Sequence, residues 1–296
     1  MTGALIAIDW GTTNRRAFLL DADGQVLRSL RDEKGLLAMQ QNGQQNGPQN
    51  GFASEIAAIR AELGELPVLL AGMVGSARGW VNVPYLPCPA GLSDLARALH
   101  YIDTRTAIVP GLCDPAGDVM RGEEVQLLGA LSAGLVPDEA LLCQPGTHCK
   151  WARMRDGKVA SFATAMTGEL FALLKGHSLL SDFLGGEVSD NAAFREGVRA
   201  GLSGRLTSQL FGVRAAALLG QRSADDSAAY ASGLLIGHDV AGEDLAQGAP
   251  VFILADPHLG ALYASAVSLA GGRPQRIDSH ACFVAGIHSI WKAAKP

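Results

Sequence analysis

The 296-residue chain has no run of clustered basic residues, no apolar stretch of bilayer length and only five cysteines. Each absence narrows the function. Neutralising a phosphate backbone needs grouped Lys and Arg, so a formal net charge of −5 without a basic patch argues against a nucleic-acid partner. With no membrane-length apolar run and no basic segment leading into an apolar one, a cytoplasmic protein without a membrane partner is expected. The cysteines (Cys88, Cys113, Cys143, Cys149 and Cys282) are odd in number and irregular in spacing, unlike a disulfide framework. Cys143, His148 and Cys149 lie close together, but no second pair at zinc-ligand spacing accompanies them, so they read as packing or site-lining groups. A Walker loop and a Gly-x-Ser-x-Gly elbow are also missing. Long polar linkers are scarce, which favours closely packed lobes over independent modules.

What is present begins at the N-terminus. Ala4 to Ile8 is an unbroken apolar run of the kind a strand buried on both faces requires, and it leads directly into Asp9. Gly11 lets the backbone turn sharply and lets an anion approach. Thr12, Thr13 and Asn14 add hydroxyl, amide and backbone donors before a second apolar strand. Asp9, at the end of a rigid strand, is placed to hold a hydrated magnesium ion. The rest of the first half alternates strand and helix signals: a turn at Asp21–Gly24, a third strand over Val26–Leu30, a helix over Ala53–Leu63, strands at Pro67–Ala71 and Ala107–Val109, and a helix over Gly122–Leu135. Between them, Gln40–Gly51 is a Gln/Asn/Gly-rich segment that reads as a mobile surface loop. The second half repeats the opening theme. A strand over Ala140–Cys143 runs into Pro145-Gly146-Thr147, and a hairpin follows around Asp156-Gly157. Beyond Thr167 the chain reads as mostly helical, with a late strand at Val251–Leu254 and a terminal helix over Ala281–Lys295. Two strand–turn–strand units suggest a duplicated architecture divided near 139/140.

The segment Asp9-Trp-Gly-Thr-Thr-Asn-Arg-Arg16 resembles the first phosphate motif of the superfamily of sugar kinases, hexokinase, actin and heat-shock chaperones. Together with Ala71–Trp80, Met120–Gly129 and Gln144–Trp151, the chain is similar to one branch of it, the 2-dehydro-3-deoxygalactonokinases. The resemblance implies an α/β, two-lobed ribonuclease-H-like (actin-like ATPase) fold with duplicated mixed sheets and an interlobe cleft. The lobes would be 1–139 and 140–296, with the last helix crossing back to the first. It also implies ATP and Mg²⁺ as cofactors and a small sugar acid as the substrate, phosphorylated on its terminal hydroxyl. The oligomeric state is left open, a homodimer being one option.

Residue roles follow from the same resemblance. Gly11, Thr12 and Thr13 from one lobe and Gly146 and Thr147 from the other would hold the phosphates, with Asp9 orienting the metal. Gly122-Glu123-Glu124 is similar to the Gly-Asp-Gln of related kinases, where the aspartate takes the hydroxyl proton; this makes Glu123 the expected base, Glu124 the alternative and Asp118 a weaker one. Arg78 is the first choice for the substrate carboxylate, followed by Arg16 and Arg121, because a guanidinium fork fits two carboxylate oxygens. Trp80 and Tyr85 would cover the sugar. Gly233 and Gly237, with Val251–Asp256, fall where the nucleoside is expected, although Ala255-Asp256-Pro257-His258 departs from the Gly-Gly turn common in the superfamily. The competing classes are another carbohydrate kinase, a nucleotide-dependent chaperone-like protein and a filament former.

Overall fold

The computed structural model describes residues 2–42 and 48–294. Three strands open the chain, β1 (Leu5–Trp10), β2 (Arg15–Leu20) and β3 (Val26–Asp32), followed by α1 (Leu36–Asn42), α2 (Pro48–Leu63) and β4 (Val68–Gly72). Then come β5 (Leu86–Pro87), α3 (Leu92–Arg97), β6 (His100–Asp103), β7 (Thr106–Ile108), β8 (Leu112–Asp114), β9 (Asp118–Met120) and α4 (Glu123–Ser132). The second half contributes β10 (Ala140–Gln144), β11 (Cys149–Arg155), β12 (Lys158–Ala165), α5 (Thr167–His177), α6 (Ala192–Gly201), α7 (Leu206–Leu218) and α8 (Ala224–Ala241). It closes with β13 (Pro250–Ala255), α9 (Pro257–Leu269), β14 (Arg273–Asp278) and α10 (Ser279–Ala294).

The two large sheets share one strand order. The first runs β3-β2-β1-β4-β7-β6 and the second β12-β11-β10-β13-β14. In each, an opening strand lies at the centre, the hairpin partners extend to one side, and later strands extend to the other. β1 pairs antiparallel with β2 and parallel with β4, while β10 pairs parallel with β13. Central strands buried on both faces need continuous apolar sequence, and β1 (LIAIDW) and β4 (VLLAG) supply it.

The chain divides into two compact units. The first comprises 1–139, 153–162 and 279–296; the second comprises 140–152 and 163–278. The boundary at 139/140 recurs between these units; α10 groups with the first, and so does the tip of the β11–β12 hairpin, which no local signal marks. That tip turns on Asp156 (φ 50°) and Gly157 (φ 70°), the left-handed pair that a two-residue hairpin turn demands. Of the Gln/Asn/Gly segment read as a loop, residues 43–47 lie outside the described residues. Residues 40–42 close α1 and residues 48–51 open α2, so helix reaches into both ends of it.

In the first unit α10 lies against α4 at backbone contact. A Cβ on Gly129 would fall 1.8 Å from the Cys282 carbonyl oxygen, and one on Gly286 would fall 2.0 Å from that of Val125. Neither backbone can yield without parting the helices. Gly129→Ala is expected to cost about 3 kcal/mol, the upper end of ordinary overpacking, read as a lowered Tm; an unchanged Tm would refute the close approach.

Candidate active site

In the first unit the site forms where β1, β4 and α4 meet. The turn after β1 is closed by the Gly11 N–H donating to the Asn14 carbonyl at 2.9 Å. Its carbonyls are then drawn to one side by the segment entering α1. Gly35 N–H donates to Thr13 O (3.0 Å), Leu36 N–H to Gly11 O (3.0 Å) and Leu37 N–H to Thr12 O (3.1 Å). With its carbonyls occupied and Thr12 and Thr13 exposed, the turn presents donors outward, which suits an anion.

Two glycines bring α4 to the end of β1. Gly72 (φ 95°), the last residue of β4, lies so close under Trp10 that a Cβ would fall 2.6 Å from the Trp10 carbonyl oxygen. Gly122 (φ 109°) rests on Gly72, its hypothetical Cβ 3.1 Å from the Gly72 Cα. The helix therefore starts beside Asp9. Burial pushes the Asp9 carboxyl up to about 6, the Arg16 charge pulls it down, and the Glu123 charge pushes it up. Arg16 stands directly across from Asp9 in the β1–β2 register.

The two glutamates differ in surroundings. Glu123 is half-buried, and its Oε2 accepts the Arg121 backbone N–H at 3.0 Å. Glu124 is fully buried; its Oε2 accepts the Gly122 N–H at 2.6 Å, and its Oε1 has no hydrogen-bond partner among the described residues. Burial, then the charge of Glu123, push the Glu124 carboxyl up to about 8. At neutral pH it is a carboxylic acid and a poor proton acceptor. The folded chain keeps a proton that the unfolded chain has released, so stability falls as pH rises from the ordinary glutamate value of 4.5 towards 8. Glu124→Gln should flatten this decline. Thermal unfolding at pH 5 and pH 8 would check it, and equal slopes for both proteins would contradict it.

Of the three arginines considered for the substrate carboxylate, Arg121 is buried and keeps unused donors. Its Nη2–H donates to the Val83 carbonyl at 2.7 Å, the guanidinium lies 4.2 Å from the centre of the Tyr85 ring, and Nε and Nη1 have no partner among the described residues. Arg78 is exposed and donates from Nη2 to Gln40 Oε1 at 2.8 Å. Trp80 stacks on Phe52, centroids 6.1 Å apart, at the edge of the core that fills this unit. The structure thus brings Asp9, Arg16, Glu123 and Glu124 together. Tyr85 is tied to Arg121, whereas Arg78 and Trp80 are engaged with Gln40 and Phe52.

The second unit repeats the braced turn. Glu169 N–H, in the first turn of α5, donates to the Thr147 carbonyl at 2.8 Å, and His148 Nε2 lies 2.6 Å from Glu169 Oε2. Gly168 is pressed against the turn: a Cβ there would be 2.3 Å from the Gly146 carbonyl oxygen. Gly35 does the same in the first unit, its hypothetical Cβ 2.5 Å from the Thr12 carbonyl oxygen. These two glycines escaped the reading of the sequence. A glycine beside a helix start is common, and nothing local says which distant turn it abuts.

Beside Gly146 a cavity of about 90 Å³ is lined by Gly168, Phe171, Ser232, Leu235 and Tyr263 among others. Gly233 and Gly237, assigned from sequence to the nucleoside, instead face α6. Cβ atoms there would come within 2.1 Å of the Phe194 carbonyl oxygen and 2.3 Å of that of Val198, so both serve close helix packing. Their neighbours Ser232, Leu235 and Ile236 are the α8 residues that border the cavity. The Asp256-Pro257 departure has a local cause. Asp256 caps α9, accepting from His258 and Leu259 N–H at 3.0 and 3.1 Å, with Pro257 in the first helical position.

A duplicated five-strand arrangement with a donor-presenting turn after each first strand defines the actin-like ATPase and sugar kinase class. The likeness to (R)-2-hydroxyglutaryl-CoA dehydratase component A of Acidaminococcus fermentans, with a TM-score of 0.50 and 12% identity over 100% of both chains, shows that fold. Within the class, residues 9–290 match the family described as 2-keto-3-deoxy-galactonokinase. The Escherichia coli (strain K12) 2-dehydro-3-deoxygalactonokinase is 38% identical, the match covering 98% of each chain. A Sinorhizobium meliloti crystal structure presented as a candidate for the same activity has a TM-score of 0.88 and 33% identity over 99% of both chains. The chain belongs to the 2-keto-3-deoxy-galactonokinase family, whose members are phosphotransferases acting on a sugar acid. No helix among the described residues is long and apolar enough to cross a membrane.

Proposed function

We propose that the chain uses ATP and Mg²⁺ to phosphorylate 2-dehydro-3-deoxy-D-galactonate at its 6-hydroxyl, giving 2-dehydro-3-deoxy-6-phosphogalactonate, in the cytoplasm. The single observation that carries this reading is the placement of Glu123 beside Asp9, at the end of β1 and next to the donor-presenting turn.

Phosphoryl transfer needs charge stabilisation on the moving group, an aligned acceptor and a place for the acceptor proton. Thr12 and Thr13, with Gly11 keeping the approach open, would donate to phosphate oxygens, as would Gly146 and Thr147. Asp9 would hold the magnesium ion. The residues fit that ion: Mg²⁺ is held by one or two carboxylates together with substrate phosphates, not by a protein-only cage. When bound, it neutralises phosphate charge. Glu123, half-buried at the start of α4, would take the proton of the 6-hydroxyl. Arg121 replaces Arg78 as the preferred partner of the substrate carboxylate: its Nε and Nη1 are unused, and Tyr85 under its plane holds the fork still. Arg16 would balance the charge of Asp9.

The reading is tested by ADP release with and without the sugar acid, with the product identified by mass. The expected result is ADP formation dependent on the acid, and a much weaker response to neutral hexoses. Phosphorylation of a neutral sugar alone would remove the substrate assignment, and ADP release independent of any acceptor would favour the chaperone-like class.

A further inference from the structure

In the second unit one carboxylate collects donors from three separate elements. Asp239, near the end of α8, accepts the Trp151 indole N–H of β11 on Oδ1 at 2.8 Å. Its Oδ2 accepts the Thr167 hydroxyl, at the first residue of α5, and the Tyr263 hydroxyl of α9, both at 2.7 Å. Trp151 and Tyr263 belong to the core of this unit, and Thr167 and Tyr263 also line the cavity beside Gly146. An ionised carboxylate offers about four acceptor sites and no donor, so it can serve all three at once.

Thr167 links this cluster to the turn. The residue after it is Gly168, pressed on the Gly146 carbonyl, and the next is Glu169, whose N–H holds the Thr147 carbonyl at 2.8 Å. An unbroken series of contacts thus runs from Asp239 to the backbone of Gly146 and Thr147. We propose that Asp239 is a positioning residue for phosphate binding, fixing the start of α5 so that this turn keeps its donors in place. The inference rests on the reading that the Gly146–Thr147 turn binds ATP phosphates.

Asp239→Asn removes the arrangement with little change of volume. In one orientation its amide NH₂ confronts two hydroxyls that must rotate to accept from it; in the other it opposes the indole N–H. The expected result is a rise of about 10-fold or more in the KM for ATP, with kcat at saturating ATP and the KM for the sugar acid nearly unchanged. A merely structural defect would lower Tm and the active fraction without singling out one substrate. Thr167→Ala should reproduce the effect, Thr167→Ser should restore normal binding, and the double variant Asp239→Asn/Thr167→Ala should lose no more than the larger single. An unchanged KM for ATP in Asp239→Asn, or full additivity, would overturn the proposal; should that variant not fold, the Thr167 pair decides alone. Thr147→Ala, which removes the hydroxyl and keeps the backbone donors, separates the two levels. If it raises the KM for ATP while Asp239→Asn does not, only the positioning role fails; if no variant of the series moves that KM, the turn is not a phosphate site.

Discussion

Glu123→Gln is expected to slow phosphoryl transfer by about 10²–10⁴-fold, the usual contribution of a positioned base. The substitution keeps shape and one acceptor oxygen but cannot take a proton, so the KM values for both substrates should hardly move. The neighbouring variant gives the contrast. Glu124 already carries its proton at neutral pH, because burial pushes it up to about 8. Glu124→Gln exchanges one neutral group for another and still accepts the Gly122 N–H, so activity should stay within about threefold of wild type. Single-turnover rates with saturating ATP and sugar acid would measure both. A silent Glu123→Gln beside a dead Glu124→Gln would move the base one residue along α4.

Gly35→Ala is expected to lower kcat/KM for ATP by about 100-fold, the scale associated with an ångström-sized misplacement of binding groups. The added methyl would lie 2.3 Å from the Thr13 carbonyl carbon and 2.5 Å from the Thr12 and Thr13 carbonyl oxygens. All of these are backbone atoms of the turn itself. Relief requires moving either the turn or the start of α1, and each breaks the three N–H···O bonds that join them. Overpacking of this kind costs about 1–3 kcal/mol in stability as well. Gly176→Ala is the matched control: the same methyl near the end of α5 meets nothing within 4 Å, so activity should not respond and Tm should hold or rise slightly. Equal behaviour of the two variants would show that the brace does not matter.

The architecture was legible in the sequence wherever it depends on local pattern. The apolar run of β1 ending at Asp9, the Gly-Thr turn after β10, the Asp156-Gly157 hairpin and the start of α4 all stand where the residues place them, because burial on both faces, positive φ and helix-start charge leave marks on neighbouring residues. β14 escaped: RPQRID is a mostly exposed strand carrying a proline, paired with β13 and lacking hydrophobic alternation. The site was legible as a set of residue types and less so as a set of roles. Arg78 and Arg121 look alike in one dimension, yet one is exposed and paired with Gln40 while the other is buried with idle donors. Gly35, Gly168 and Asp239 act through partners 21 to 88 positions away: Gly168 on Thr147, Gly35 on Thr13, and Asp239 on Tyr263, Thr167 and Trp151. No window of sequence contains those pairs.

The seating of α10 on α4 has a consequence for how the molecule is made. Residues 279–294 leave the ribosome only after the whole stretch 163–278, yet the helix they form covers the backbone of Gly129. The apolar flank of α4 therefore stays bare during synthesis of the intervening stretch, whose own core is assembled largely from that stretch. The later-made unit can complete its fold first, and the earlier-made one waits for its closing piece. During that interval the nascent protein carries an unprotected hydrophobic surface, which makes low growth temperature and chaperone supply the natural levers for soluble yield.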